Sequence, residues 1–152
     1  ASIGMGEIVH AAARGEKFST YFINNAIYGM TGGQMAPTTL IGQRSTTSVD
    51  GRTREQAGMP LRICELLATL DGPAYIERVS LDSPAHIRAA KKAVRKAFEY
   101  QLAGKGFTFV ELLSTCPTNW GLTPYEAMKR MGSEVAAYYP LGVYKDTGKE
   151  DE

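Results

Sequence analysis

Asn24-Asn25-Ala26-Ile27-Tyr28-Gly29-Met30-Thr31-Gly32-Gly33-Gln34 decides how this chain is read. It follows directly on Lys17–Ile23, where Phe18, Tyr21, Phe22 and Ile23 have the aromatic and β-branched character of a buried strand. Two amides and a glycine-rich loop therefore stand at the carboxyl end of a strand, which is where open α/β sheets bind their ligands. An Asn side-chain oxygen and a free backbone carbonyl are hard donors suited to Mg²⁺. Glycines at 29, 32 and 33 let backbone N–H groups approach phosphate oxygens with no Cβ between. The chemistry of the stretch is that of a Mg²⁺-bridged diphosphate.

Outward from this loop, strands and helices alternate. Ser2–Ala13 carries helical spacing closed by Gly15, and Phe18–Asn24 is the first strand. Residues 25–59 have little periodicity and form a long Gly-, Thr- and Ser-rich loop of the kind usually kept for function. Pro60–Leu70 reads as a helix and Ala74–Ser80 as a strand. Asp82-Ser83-Pro84 is a helix start, with Ser83 as cap and Pro84 in the first turn. The helix it opens runs to about Ala103, and Ile87, Ala90, Val94, Phe98 and Leu102 form its expected buried stripe. Phe107–Leu113 is a third strand, Thr123–Met131 a last helix. The order predicts an α/β fold, part of a doubly wound parallel sheet with flanking helices and one open edge. Tyr138–Tyr144 is expected to lie across its own domain, and Lys145–Glu152 to be a disordered charged tail.

Asn24–Gln34 resembles the second half of the thiamine-diphosphate motif. With Ala36-Pro37-Thr38-Thr39, Pro60–Ala68, Gly106–Asn119 and Tyr138–Lys145, the chain is similar to the β subunit of 2-oxoacid:ferredoxin oxidoreductases. The resemblance implies that Asn25 ligates Mg²⁺ through its side chain and Ile27 through its carbonyl. Gly29, Met30 and Thr31 would lie along the diphosphate or beside the thiazolium, and the long loop would be a plug over the cofactor. It further implies oxidative decarboxylation of a 2-oxoacid to an acyl-CoA, with electrons passed to ferredoxin, in a complex with α and often γ and δ subunits. By the same resemblance Met30 and Gly32 would lie where the plug faces substrate, a 2-oxoacid of branched-chain or 2-oxoglutarate type; Gly32 stands where some relatives carry Lys, which favours a branched-chain or other apolar side chain over 2-oxoglutarate.

The family's Gly-Asp-Gly, which supplies the acidic metal ligand, belongs just before the helix near Ser2, and the chain starts at Ala1. Residues 1–144 are thus expected to be a thiamine-diphosphate-binding domain without its N-terminal part. Glu7, within a helix, and Glu16, in the turn after it, are poor substitutes for the acid. Tight cofactor binding by this chain alone is not expected; the alternative reading is a catalytically silent domain that binds partner subunits. Cys116, in Ser114-Thr115-Cys116-Pro117-Thr118-Asn119, is similar to the fourth thiolate of a [4Fe–4S] cluster, whose other three would come from the family's N-terminal region.

Composition fits a one-domain globular protein: 152 residues, 43% hydrophobic and 22% charged. A net charge of +1 argues for neither nucleic acid nor a membrane surface as partner, and cytoplasm is the default. Cys64 falls in an amphipathic helical pattern and reads as a small buried hydrophobe. Arg88, Lys91, Lys92, Arg95 and Lys96 read as a solvated helix face, and His10 and His86 as ordinary helix residues. Nothing in the chain assembles a Ser/His/Asp arrangement.

Overall fold

The computed structural model describes residues 3–149. Helix α1 (Met5–Ala13) begins later than the spacing predicts, because Ile3 and Gly4 form a turn; Ser2 lies outside the described residues. Strand β1 (Ser19–Asn24) leads into the long loop, which holds one short helix, α2 (Arg54–Ala57). Then come α3 (Ile63–Ala68), β2 (Pro73–Ser80), α4 (Pro84–Leu102) and β3 (Phe107–Leu113). The predicted caps form: Ser83 Oγ accepts the His86 N–H at 3.2 Å, with Pro84 opening α4. A single turn, α5 (Pro117–Trp120), follows β3, and α6 (Pro124–Arg130) opens with a capping box between Thr123 and Glu126. The last helix does not stop at Met131. It widens into a π turn, Met131–Val135, and closes with α7 (Ala136–Tyr138).

The sheet order is β1-β3-β2-β4. The first three strands are parallel, with Ser19 level with Thr108 and Arg78 level with Glu111. The fourth, β4 (Gly142–Asp146), is antiparallel to β2 and was not visible in the sequence. Lys145 and Asp146, expected in a disordered tail, belong to this strand, and Thr147–Lys149 form a 3₁₀ turn; residues 150–152 lie outside the described residues. Asp146 is drawn in by a 2.5 Å ion pair with Lys96 and a 2.6 Å hydrogen bond from Tyr100. That pairing takes Lys96 out of the solvated basic face as well.

Helices cover both faces. On one side α1 and α3 pack Ala12, Ile63, Cys64 and Leu67 against Ile76, Phe107 and Phe109. On the other α4 rests on Tyr75, Val79, Val110 and Leu112. Its buried stripe differs from the one expected: Ala90, Ala93, Ala97 and Tyr100 are buried, while Ile87, Phe98 and Leu102 are exposed. Three alanines let the helix axis come close to the sheet. The larger residues are left beside β1, where with Val94 and Leu112 they line an apolar groove. A third cluster of Leu40, Leu113, Met131, Val135 and Tyr139 joins the long loop to the C-terminal helices at the carboxyl ends of the strands. Tyr139 is fully buried and donates to the Thr38 carbonyl at 2.8 Å, so this aromatic segment does cover its own domain. Among the described residues no helix is long and apolar enough to cross a membrane.

Candidate functional site

At the end of β1 the two amides face different surroundings, as alternate strand positions must. Asn24 is buried on the α3 face; its Nδ2 donates to Glu111 Oε1 at 2.7 Å, and its Oδ1 accepts the Ala26 N–H at 3.0 Å. Asn25 Oδ1 accepts the Ile27 N–H at 3.3 Å, and the Asn25 carbonyl accepts Trp120 Nε1–H at 3.1 Å. Just after them Ala26 adopts φ 56°, the left-handed region that a residue with a Cβ enters only when its surroundings compel it. The compulsion is visible: its N–H is held by Asn24, and its carbonyl receives Thr39 Oγ1 at 2.7 Å and Gln43 Nε2 at 2.9 Å. This forced turn brings the Asn25 amide and the Ile27 peptide to one corner, beside a small cavity of about 90 Å³ bounded also by Tyr28, Pro37 and Thr38.

The glycine loop divides its hydrogen-bonding groups unevenly. Gly33 N–H donates to the Tyr28 carbonyl at 2.9 Å, and Gly32 N–H to the Gly29 carbonyl at 3.3 Å. Those two amides are consumed in closing the loop. The N–H groups of Gly29, Met30 and Thr31 reach no protein acceptor among the described residues, and neither does any donor reach the Ile27 carbonyl. Met30 stands fully exposed at the tip. The Asn25 amide, the Ile27 carbonyl and three amides without a protein acceptor thus gather near one strand end, groups of the chemical kind that a metal and a diphosphate take.

Two of the glycines serve a purpose the sequence did not disclose. A Cβ on Gly29 would lie 3.0 Å from Cys116 Sγ, and one on Gly33 would lie 2.4 Å from Asn119 Oδ1. Their missing side chains leave room for Cys116 and for Asn119 of α5. Cys116, expected on the same side of the sheet as Asn25, does sit against the glycine loop, where its Sγ accepts from Asn119 Nδ2 at 3.2 Å. Glu7 is exposed and Glu16 pairs with Arg14, so neither stands in for an acidic ligand. No group of three or more His, Cys, Asp and Glu gathers among the described residues.

Beneath this corner lies a buried polar network that no motif marks. Glu111, fully buried on the central strand, accepts from Asn24, from Arg78 Nε at 2.7 Å and from Cys64 Sγ at 3.2 Å. Arg78, also fully buried, reaches Glu65 at 2.5 Å, Tyr144 Oη at 2.5 Å and the Pro140 carbonyl at 3.1 Å. Burial opposes the Arg78 charge, but Glu65 and Glu111 outweigh it and raise its pKa. Burial likewise works against Glu65, and the hydrogen bond from Arg78 reverses it, holding the carboxyl below its ordinary range. Burial and the Glu111 carboxylate push the Cys64 thiol far up, so Cys64 is an inert thiol donor in the core, as expected. The alternation of Phe107, Phe109 and Glu111 on one face was the only available signal, and a single acid in an apolar strand is easily taken for a solvent-facing residue.

Arg52 performs a similar service for the long loop. Its guanidinium, 4% exposed, donates to the carbonyls of Ala36, Pro37, Thr39, Ala57, Gly58 and Met59 at 2.7–3.2 Å. Thr47 Oγ1 and the Thr46 N–H stitch the loop to Met35 and to the Gly33 carbonyl, each at 2.9 Å. The segment is therefore a shaped body packed over the strand ends.

The fold and this corner define a cofactor-binding domain, and comparison with known proteins says which. Residues 1–112 match the family model described as thiamine pyrophosphate enzyme, C-terminal TPP binding domain, and the chain belongs to that family (thiamine pyrophosphate is thiamine diphosphate). It is 50% identical over all 152 residues to the ketoisovalerate oxidoreductase subunit VorA of Methanothermobacter marburgensis, covering 32% of that protein. Against the 2-oxoglutarate synthase subunit KorB of Methanocaldococcus jannaschii it is 35% identical over 122 residues, 80% of this chain and 40% of that one. The chain thus spans about a third of the length of the VorA relatives. A solved structure of 2-oxoglutarate:ferredoxin oxidoreductase from Magnetococcus marinus superposes with a TM-score of 0.66 at 20% identity, over 95% of this chain and 52% of that one, so the fold is shared.

Proposed function

We propose that this chain carries the metal-and-diphosphate side of the thiamine-diphosphate site in the β subunit of a 2-oxoacid:ferredoxin oxidoreductase. That enzyme oxidatively decarboxylates a 2-oxoacid to an acyl-CoA and reduces ferredoxin. One observation carries the reading: at the carboxyl end of β1 the Asn25 side chain and the Ile27 carbonyl stand beside the unsatisfied amides of Gly29, Met30 and Thr31. Asn25 and Ile27 are the two Mg²⁺ ligands of this chain, and the three amides receive the diphosphate. Bound there, thiamine diphosphate supplies the electron sink that decarboxylation of a 2-oxoacid requires.

The chain's own work is positional. Glu111 fixes Asn24, Asn24 fixes the left-handed turn at Ala26, and that turn sets Asn25 and Ile27. The segment pinned by Arg52 packs beside the corner, and Met30, exposed at the tip of the glycine loop, would face the substrate. Cys116 is the thiolate this chain would bring to a [4Fe–4S] cluster, the other three coming from the family's N-terminal region, in a complex with an α subunit and, in many members, γ and δ subunits. Gly32 offers no partner for a second carboxylate, and identity is higher to the ketoisovalerate than to the 2-oxoglutarate relatives; a branched-chain 2-oxoacid is the substrate class.

Calorimetric titration with Mg²⁺ and thiamine diphosphate tests the core of this reading. Heat of binding by the assembled complex that disappears when its β subunit carries Asn25→Ala is the expected result. No binding, either by this chain or by the assembled complex, leaves the silent-domain alternative in its place. A panel of 2-oxoacids assayed on the complex, with ferredoxin reduction as readout, decides the substrate class.

A further inference from the structure

Four successive carbonyls run through the turn that ends β1, and three of them are tied back. The Asn24 carbonyl accepts the Ser114 N–H at 2.9 Å, just beyond the end of β3. The Asn25 carbonyl accepts Trp120 Nε1–H at 3.1 Å, from α5 and 95 residues away in sequence. The Ala26 carbonyl accepts Thr39 Oγ1 at 2.7 Å and Gln43 Nε2 at 2.9 Å, both from the long loop. The fourth, that of Ile27, is left without a donor among the described residues.

The side chains that hold Asn25 and Ala26 are themselves joined. The Arg130 guanidinium lies 5.0 Å over the Trp120 ring, and its Nη2 reaches Gln43 Oε1 at 3.4 Å. Its Nε donates to Glu134 at 3.0 Å, across the junction of α6 and the π turn. The contacts close a circuit through Asn25, Trp120, Arg130, Gln43 and Ala26. An indole N–H is a donor only, and a cation seated on the flat ring restrains the direction in which it donates. The preceding residue, Asn119, donates from Nδ2 to the Gly29 carbonyl at 3.3 Å. Neighbouring residues of one short helix therefore grip the backbone on both sides of Ile27.

We propose that Trp120, seated by Arg130, is a positioning residue for the metal: it ties the Asn25 carbonyl to α5 and so leaves the Ile27 carbonyl as the one backbone oxygen of the turn open to a cation. This rests on the functional reading above and adds to it the side chains that order the corner before the metal arrives. A ligand carbonyl fixed in advance spares the metal the cost of ordering it. Trp120 and Arg130 lie far from Asn24–Gln34 in sequence, and the turn alone does not call for them.

Trp120→Phe separates this role from packing, since it keeps a ring under Arg130 and removes the N–H. In the full chain, amide exchange followed by nuclear magnetic resonance should accelerate at Ala26 and Ile27 at least about fivefold, with the β2–β3 ladder as protected as before. Arg130→Gln keeps the indole N–H but frees the ring, and should loosen the same two amides. In the assembled complex, the Mg²⁺ concentration that half-saturates thiamine diphosphate binding should rise about five- to tenfold in Trp120→Phe, and excess Mg²⁺ should restore full binding. Exchange unchanged at Ala26 and Ile27 in either variant overturns the proposal. So does faster exchange spread through the whole sheet, the mark of a packing residue, and so does a loss of binding that excess Mg²⁺ fails to restore. A wild-type complex that binds while Trp120→Phe needs no more metal refutes this proposal alone. A wild-type complex that binds no thiamine diphosphate with Mg²⁺ refutes the functional reading, and this proposal with it.

Discussion

Glu111→Gln removes one charge and exchanges one oxygen for nitrogen, yet it should be among the most damaging single substitutions in the chain. Both carboxylate oxygens are used. Oε1 accepts from Asn24 Nδ2 at 2.7 Å, and Oε2 accepts from Arg78 Nε at 2.7 Å and Cys64 Sγ at 3.2 Å. A glutamine in either orientation sets an NH₂ against a donor: against the Asn24 amide in one, against the Arg78 guanidinium in the other. Glu111 and Arg78 have fully buried side chains, so water cannot repair the loss. Breaking one member out of a buried pair costs about 3–5 kcal/mol. For a domain of this size that lowers Tm by roughly 10 °C or more. Urea unfolding followed by circular dichroism measures the first quantity, and a thermal melt the second. The double variant Arg78→Met/Glu111→Leu should recover part of the stability, because no uncompensated charge is left inside. It should not recover cofactor affinity, since Asn24 still lacks the acceptor that aligns the Ala26 turn. A loss below about 1 kcal/mol in Glu111→Gln would show that the network is not charged as described. Full cofactor affinity in the double variant would show that Asn24 needs no anchor.

Three further outcomes follow from the geometry. Arg52→Lys keeps the charge but cannot fork to six carbonyls, so hydrogen exchange should accelerate across residues 36–59 while the sheet stays protected; uniform protection would refute the role given to Arg52. Gly33→Ala places a methyl 2.4 Å from Asn119 Oδ1 at φ +85°, and should weaken Mg²⁺–thiamine diphosphate binding at least about tenfold with a Tm change of only a few degrees. Unchanged affinity would mean that the Asn119 loop moves freely. The Glu65 carboxyl is held below its unfolded value of about 4.3, so it contributes stability that is complete above that pH and is lost as pH falls through the folded value. Glu65→Gln should flatten the acid limb of Tm against pH, and an identical limb in the variant would sink the assignment.

Much of the fold was legible because it is written in local terms. Apolar runs at Phe107–Leu113 and Ala74–Ser80, and the Ser83 and Thr123 caps, depend on neighbours a few residues away. The polar loop at Asn24–Thr31 stood out as a motif, but the contacts that shape it, from Thr39, Gln43, Glu111 and Trp120, did not. What escaped were features set by distant partners. β4 is short and weakly patterned, and it is a strand because β2 and the Lys96–Asp146 pair make it one. The α4 stripe was misjudged because periodicity ranks residues by hydrophobicity, whereas close packing on a sheet selected alanines. Arg52, Arg78 and Glu111 look like surface residues in composition; only the folded chain shows them buried and satisfied.

The register of β1 against β3 also carries a consequence in time. Ser19 meets Thr108, 89 residues further along. During synthesis at about 5–20 residues per second, the ligand-bearing strand leaves the ribosome on the order of ten seconds before the strand that must flank it. Through that interval β1 has no strand to pair with, and Asn24 has no Glu111. The corner therefore matures only after Glu111 and Trp120 have emerged, although its own residues are among the first to be made. A nascent chain arrested short of residue 107 would carry all of Asn24–Gln34 and still lack the Glu111 that anchors Asn24.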